Sequence, residues 1–185
     1  MKNNKLYFVS KNQFKHAEAC QILEPLGISV VADHTDINEL QTNDTELLVR
    51  DKAARAFKQL GRRLFVEHTG LYLDLLGGLP GGLTQIFWDS LKKERFSQLF
   101  ASDTCTVKAK TTIGYVDGRR IHLFSGEVAG RIISPPRIDH GFQWDCVFVP
   151  DGYELAFSEM GEVKNNISMR RRALEQMKDH IEANK

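Results

Sequence analysis

Short apolar runs alternate with polar turns and helix-spaced apolar faces through the first half of the chain. Leu6-Tyr7-Phe8-Val9 is an apolar run closed by the polar turn Ser10-Lys11-Asn12, which predicts a strand. A helix is expected from Gln13 to about Leu23, because Pro25 and Gly27 follow. Ile28 to Ala32 reads as a second strand. Val49, Ala53, Phe57 and Leu60 recur three or four residues apart, one face of a helix that Gly61 would end. Leu64-Phe65-Val66 predicts a third strand, central in its sheet because it is apolar without alternation. Glu67-His68-Thr69-Gly70 follows it and leads toward the glycine-rich stretch Leu76 to Gly82. Strand, helix, strand, helix, strand in this order indicates an α/β sheet with right-handed crossovers.

The second half reads differently. Thr104 to Tyr115 and Arg120 to Phe124 flank Val116-Asp117-Gly118-Arg119, whose Asp-Gly pair signals a hairpin. Gly126 to Ile133 predicts another strand, stopped by Pro135 and Pro136. Cys146-Val147-Phe148-Val149 predicts a buried strand, and a helix from about Asn165 puts Ile167, Leu174, Met177 and Ile181 on one face. No repeat, low-complexity segment or linker interrupts the pattern. The expectation is one α/β domain over residues 1–185: a long, mixed, twisted sheet with flanking helices, an antiparallel portion and a cleft between two lobes.

Composition narrows the class. The 185 residues suffice for a sizeable core, and a net charge of +1 carries no signature for nucleic acid or an anionic membrane. The start, Met1 to Lys5, is basic, but the apolar stretch behind it is too short for a signal peptide. No run approaches the roughly 20 apolar residues of a membrane span. Cys20, Cys105 and Cys146 are odd in number and lack metal-ligand spacing, which suits free thiols in a reducing cytoplasm.

Four constellations carry candidate chemistry. Ser10 to Lys15 lies at a strand-to-helix junction, where free N–H groups and the helix dipole favour an anion and Lys15 adds charge; on this motif alone a capped helix with a solvated lysine is the commoner explanation. Asp36, Glu39 and Glu67, with the basic Lys52 among them, supply carboxylates that Mg²⁺ prefers, or are ordinary surface charges. Gly141-Phe142-Gln143-Trp144-Asp145 offers aromatics beside a carboxylate for a flat ring, or simply core packing. Lys164 to Arg172 offers Ser168 and Arg170 for carbonyls or phosphate, or a solvated basic face. His68 is a candidate base or metal ligand; a lone histidine with satisfied hydrogen bonds is the bland alternative.

Taken in order, these segments resemble the inosine/xanthosine triphosphate pyrophosphatase (ITPase, Ham1-like) family from about Leu6 to Met177. The carriers are Phe8 to Lys15, Val66 to Leu71, Leu76 to Gly81, Phe124 to Gly126 with Gly130 to Ile132, Gly141 to Asp145, and Glu159 to Gly161 through Lys164-Asn165 to Arg170. The resemblance implies an ITPase-like (Maf/Ham1-type) fold and commonly a homodimer, to which the stretch from Leu79 to Trp88 would contribute. It implies that Ser10, Asn12 and Lys15 grip a triphosphate. Glu39 would help hold Mg²⁺ together with Glu67, and Lys52 would face the phosphates with spacing about one residue off. Phe142, Trp144 and Asp145 match the purine-binding set; Lys164, Ser168, Met169 and Arg170 match residues around a 6-oxo base.

Three departures stand out. The family's acidic-Asp-Ser/Thr-Gly motif is here Glu67-His68-Thr69-Gly70, so the aspartate that binds Mg²⁺ and orients water is an imidazole. The family's Ser-His-Arg is Ser168-Met169-Arg170, and Lys11 replaces a small residue beside the phosphates. Holding residues are retained while the cutting residue is changed. The expectation is a nucleotide sensor for dITP or ITP that signals to an effector, such as a sirtuin-like NAD-degrading enzyme in antiphage defence. The alternative is an active pyrophosphatase in which His68 serves as base.

Overall fold

The computed structural model describes residues 5–102 and 104–184; the basic start, residues 1–4, lies outside them. Its strands are β1 (Lys5–Val9), β2 (Ser29–Asp33), β3 (Leu64–Leu73), β4 (Val107–Val116), β5 (Ile121–Ile132) and β6 (Phe148–Pro150). They form one open, mixed sheet in the order β2-β1-β3-β4-β5-β6. β1 runs parallel to β2 and β3, and from β3 to β6 neighbours are antiparallel. Parallel neighbours require crossovers, which α1 (Gln13–Leu23) and α2 (Thr45–Leu60) supply. Between β4 and β5 a tight turn suffices, held by Asp117, which accepts the N–H groups of Arg119 and Arg120 at 2.7 and 2.8 Å.

Alternation along β3 divides its side chains between two faces. Leu64 and Val66 enter a core with Leu48, Val49 and Ala53 of α2. Phe65 faces the opposite core, built from Ala19 and Ile22 of α1 and from Ala173, Leu174 and Met177 of α5 (Met169–Ala183). Farther along, Leu71 and Leu73 join a third core with Val107, Trp144, Phe148 and Phe96 of α3 (Thr84–Phe100). Two lobes thus share one sheet, and residues 67–69 lie on β3 where their cores meet.

Several elements differ from the sequence-based expectation. β3 does not stop at Val66; Glu67 and His68 are buried inside it and pair across β4 with Ile113 and Thr112. The expected break between Phe124 and Gly126 is absent, and β5 is continuous. Residues 84–100, for which no element was expected, form α3, which includes an extended kink at Lys92 with φ 59°. Phe87 and Trp88 pack against the second lobe's core, whereas Leu75, Leu79 and Ile86 stay exposed. Residues 143–146 form a 3-10 turn, so the strand there begins only at Phe148. The last helical region is two helices, α4 (Glu162–Ile167) and α5, because Ser168 caps the second by accepting the N–H of Arg171 at 3.1 Å. All three cysteines are free thiols. Among the described residues no helix is long and apolar enough to cross a membrane.

Candidate active site

One pocket opens at the C-terminal end of β1. Asn12 caps α1 by accepting the N–H of Lys15 at 3.2 Å, and Ser10 Oγ accepts the N–H of Asn12 at 3.2 Å. His16 Nε2 and His34 Nδ1 both donate to the Ser10 carbonyl, at 2.8 and 3.1 Å, fixing the turn from behind. Ser10, Lys11, Asn12, Lys15, Asp36, Glu39, Lys52, His68 and Thr69 line the space in front. The first turn of α1 presents backbone N–H groups there, favourable for an anion.

Each lysine in this pocket carries a carboxylate partner. Lys11 Nζ is 2.7 Å from Asp36, Lys15 Nζ is 3.1 Å from Glu67, and Lys52 Nζ is 2.5 Å from Glu39. Lys52 also donates to the Glu67 carbonyl at 3.2 Å. Burial pushes the Lys15 ammonium pKa down, with Glu67 opposing that and Arg170 and Lys52 adding to it. Burial alone would raise the Glu39 carboxyl, but the neighbouring His68 and Lys52 more than offset this and hold it well below the usual carboxylate range.

Glu67 and His68 point to opposite faces of β3, as strand alternation requires. Glu67 is 1 % exposed and accepts a two-pronged contact from Arg170, Nε at 2.8 Å and Nη2 at 2.9 Å. Burial would raise its carboxyl; Arg170 and Lys15 outweigh that and hold it down. His68 faces the α2 side, with Nδ1 3.7 Å from Glu39 and a buried Nε2 that has no hydrogen-bond partner among the described residues. At that distance the Glu39 contact is electrostatic, longer than a hydrogen bond. Gly70 follows because a Cβ there would sit 2.3 Å from the Gly81 carbonyl.

Mg²⁺ takes hard oxygen ligands. Here both oxygens of Glu67 are engaged by cations, Glu39 is paired with Lys52, and the intervening strand position carries an imidazole. Among the described residues no three His, Cys, Asp or Glu side chains converge on a metal-sized site. This donor set does not fit a protein-held Mg²⁺.

A second pocket, more apolar, lies beside the first and is lined by Phe14, Glu18, Phe142, Asp145, Phe157 and Lys164 among others. Lys164 Nζ donates to Asp145 at 2.5 Å and stands 4.1 Å from the centroid of Phe142. Asp145 Oδ1 is buried without a partner. Burial, only partly offset by Lys164, lifts the Asp145 carboxyl to about 6.

The fold therefore brings Ser10, Asn12, Lys15, Glu39, Lys52 and His68 around one pocket, and Phe142, Asp145 and Lys164 around the next. Trp144, expected to stack on a base, is 2 % exposed and packs edge-on against Phe148 in the core. Met169 is likewise a core residue. Arg170, expected to face the base, is fully buried between Glu67 and Glu18. Ser168 Oγ donates to Glu18 at 2.9 Å. Glu18 was missed because it reads as one polar position in a helix; its partners stand about 150 residues away. Gln85 and Gln143, also missed, hydrogen-bond across the first pocket's rim.

Comparison with known proteins identifies the family. The model of the Ham1 family matches residues 6–180. The dITP/XTP pyrophosphatase of Methanopyrus kandleri is 34 % identical over 184 residues, covering 97 % of each chain. The inosine triphosphate pyrophosphatase of Yarrowia lipolytica is 38 % identical over 175 residues, covering 92 % of each. A HAM1 protein from Coxiella burnetii superposes with a TM-score of 0.82 at 22 % identity, over 97 % of this chain and 98 % of that one. Six ordered motifs, the mixed sheet and near full-length matches converge, and the chain belongs to the Ham1 family.

Proposed function

We propose that the chain binds a deaminated purine nucleoside triphosphate such as dITP or ITP, and holds it with little cutting. The phosphates lie among Lys11, Lys15 and Lys52, and the base lies against Phe142. The observation that supports binding is a cationic pocket adjoining an aromatic-walled one that contains both a carboxylate and an ammonium. A 6-oxopurine presents an N1–H donor to Asp145 and an O6 acceptor to Lys164. Adenine reverses both, and leaving buried polar groups unpaired discriminates strongly.

Retention rests on His68. Replacing a carboxylate with an imidazole removes negative charge where the attacking water would be activated, a loss on the order of a thousandfold in rate. A triphosphate that stays uncut is a signal a partner protein can read, which is the sensor role expected above, in the cytoplasm where free thiols persist.

A second reading is favoured by the relatives, which are named pyrophosphatases. In it water attacks the α-phosphorus of (d)ITP or XTP, the bond to the β-phosphate breaks, and pyrophosphate leaves. The water's proton passes to the His68 imidazole, whose Nδ1 faces Glu39.

Calorimetry with dITP, ITP, XTP and dATP, run beside a pyrophosphate-release assay, separates the two. Binding of dITP without release supports holding; turnover at about 1 s⁻¹ or faster replaces it with the pyrophosphatase reading. Absence of binding to all four nucleotides defeats both. His68→Asp is expected to raise pyrophosphate release by about a hundredfold or more; a variant that loses activity instead would make His68 catalytic.

A further inference from the structure

We propose that triphosphate binding in this cleft does not require a divalent cation, because Lys11, Lys15 and Lys52 supply the positive charge that a metal would bring. The inference rests on the reading of the cleft as a triphosphate site. A metal that accompanies a nucleotide is anchored by carboxylates free to coordinate it. Around this pocket every such carboxylate already has an ammonium or guanidinium on it: Asp36 has Lys11, Glu39 has Lys52, and Glu67 has Lys15 and Arg170. A divalent cation entering here would meet two poorly solvated ammonium groups at close range, and that repulsion is strong where water is scarce.

The same pairs can exchange partners at low cost when an anion arrives. Asp36 is 70 % exposed and turns to water when Lys11 moves to a phosphate oxygen, whereas Lys52 keeps Glu39 and the Glu67 carbonyl on two of its N–H donors and offers the third to phosphate. Glu67 cannot turn away, but it keeps both contacts from Arg170 when Lys15 leaves it. No buried charge is orphaned by the exchange, and each ammonium–phosphate contact is a charge-assisted hydrogen bond. Lys11 is central to the proposal. It stands on the phosphate-facing turn, beside the anion-favouring N-terminus of α1, and carries the most exposed of the three ammonium groups.

The test is a calorimetric titration of the full chain with dITP, in excess EDTA and again in millimolar Mg²⁺. Affinity in EDTA is expected to be within about threefold of that in Mg²⁺, or tighter. A loss of about tenfold or more in EDTA overturns the inference while leaving the cleft a triphosphate site. Failure to bind in either buffer removes the triphosphate reading and the inference with it. Lys11→Ala is expected to weaken binding in EDTA by about tenfold; an unchanged affinity would remove Lys11 from the assignment. His68→Asp adds a free carboxylate and is expected to make binding Mg²⁺-dependent, again by about tenfold. Equal affinity of that variant in both buffers would overturn the assigned cause.

Discussion

Asp145 has one oxygen on Lys164 and the other unpartnered, and its carboxyl lies near 6 against an ordinary 3.8. Between those values the folded protein binds a proton that the unfolded chain does not. Stability contributed by this group therefore rises as pH falls through the window. Asp145→Asn abolishes the titration. The stability of the natural protein relative to the variant is expected to grow by about 2 kcal/mol between pH 7 and pH 4.5, read as urea unfolding midpoints. A difference that stays flat with pH would mean that burial does not govern this carboxyl. Glu39 and Glu67 act in the opposite sense, since their pKa values are depressed from 4.5. The stability they contribute is present above that pH and is lost as pH falls below it, a loss that cancels in the comparison because both proteins carry these groups. At this scale the placement of Ser10, Asn12 and Lys15 around one pocket was legible because they lie within six residues and follow a strand. Glu18 and the burial of Arg170 were not, because they depend on an ion-pair cluster joining α1, β3 and α5.

α5 reaches the site because β5 lets it approach. A Cβ on Gly126 would stand 2.3 Å from the Met169 carbonyl and 2.6 Å from Arg172 Cβ, both in the first turn of α5. Gly126→Ala is expected to push that turn, with Ser168 and Arg170, off the sheet and to cost about 3 kcal/mol. Thermal unfolding measures it, and an unchanged midpoint would show that the helix does not pack so closely. This glycine also explains a misread boundary. Read locally, Ser125-Gly126 looks like a strand break; in the fold it is where a helix crosses an unbroken strand. β3 was cut short for a related reason, since Glu67 and His68 are polar and their burial depends on Arg170, Lys15, Glu39 and Lys52, which are distant in sequence. α3 escaped notice because its apolar residues Phe87, Trp88, Leu91, Phe96 and Phe100 do not keep a single helical face through the kink at Lys92. The strand–helix alternation of the first half needed no distant partner, and its crossover helices α1 and α2 formed as expected.

Over the whole molecule the exposed apolar side chains Leu75, Leu79 and Ile86 gather where β3 ends and α3 begins. The homodimer that the family resemblance implies is expected to use this face. Light scattering after size exclusion is expected to give twice the mass of the chain, and Leu79→Glu to reduce it to one. A single-chain mass for the natural protein would exclude a stable pair. One carboxylate links the two halves of the cleft within each copy. Glu67 is shared between Lys15 on the phosphate side and Arg170, whose other carboxylate partner, Glu18, borders the base pocket. Under the proposed function, a phosphate that draws Lys15 away would leave Arg170 as Glu67's remaining partner and so couple the phosphate side to the base side. Such coupling is expected to appear as a nucleoside that binds more tightly in the presence of inorganic triphosphate than in its absence.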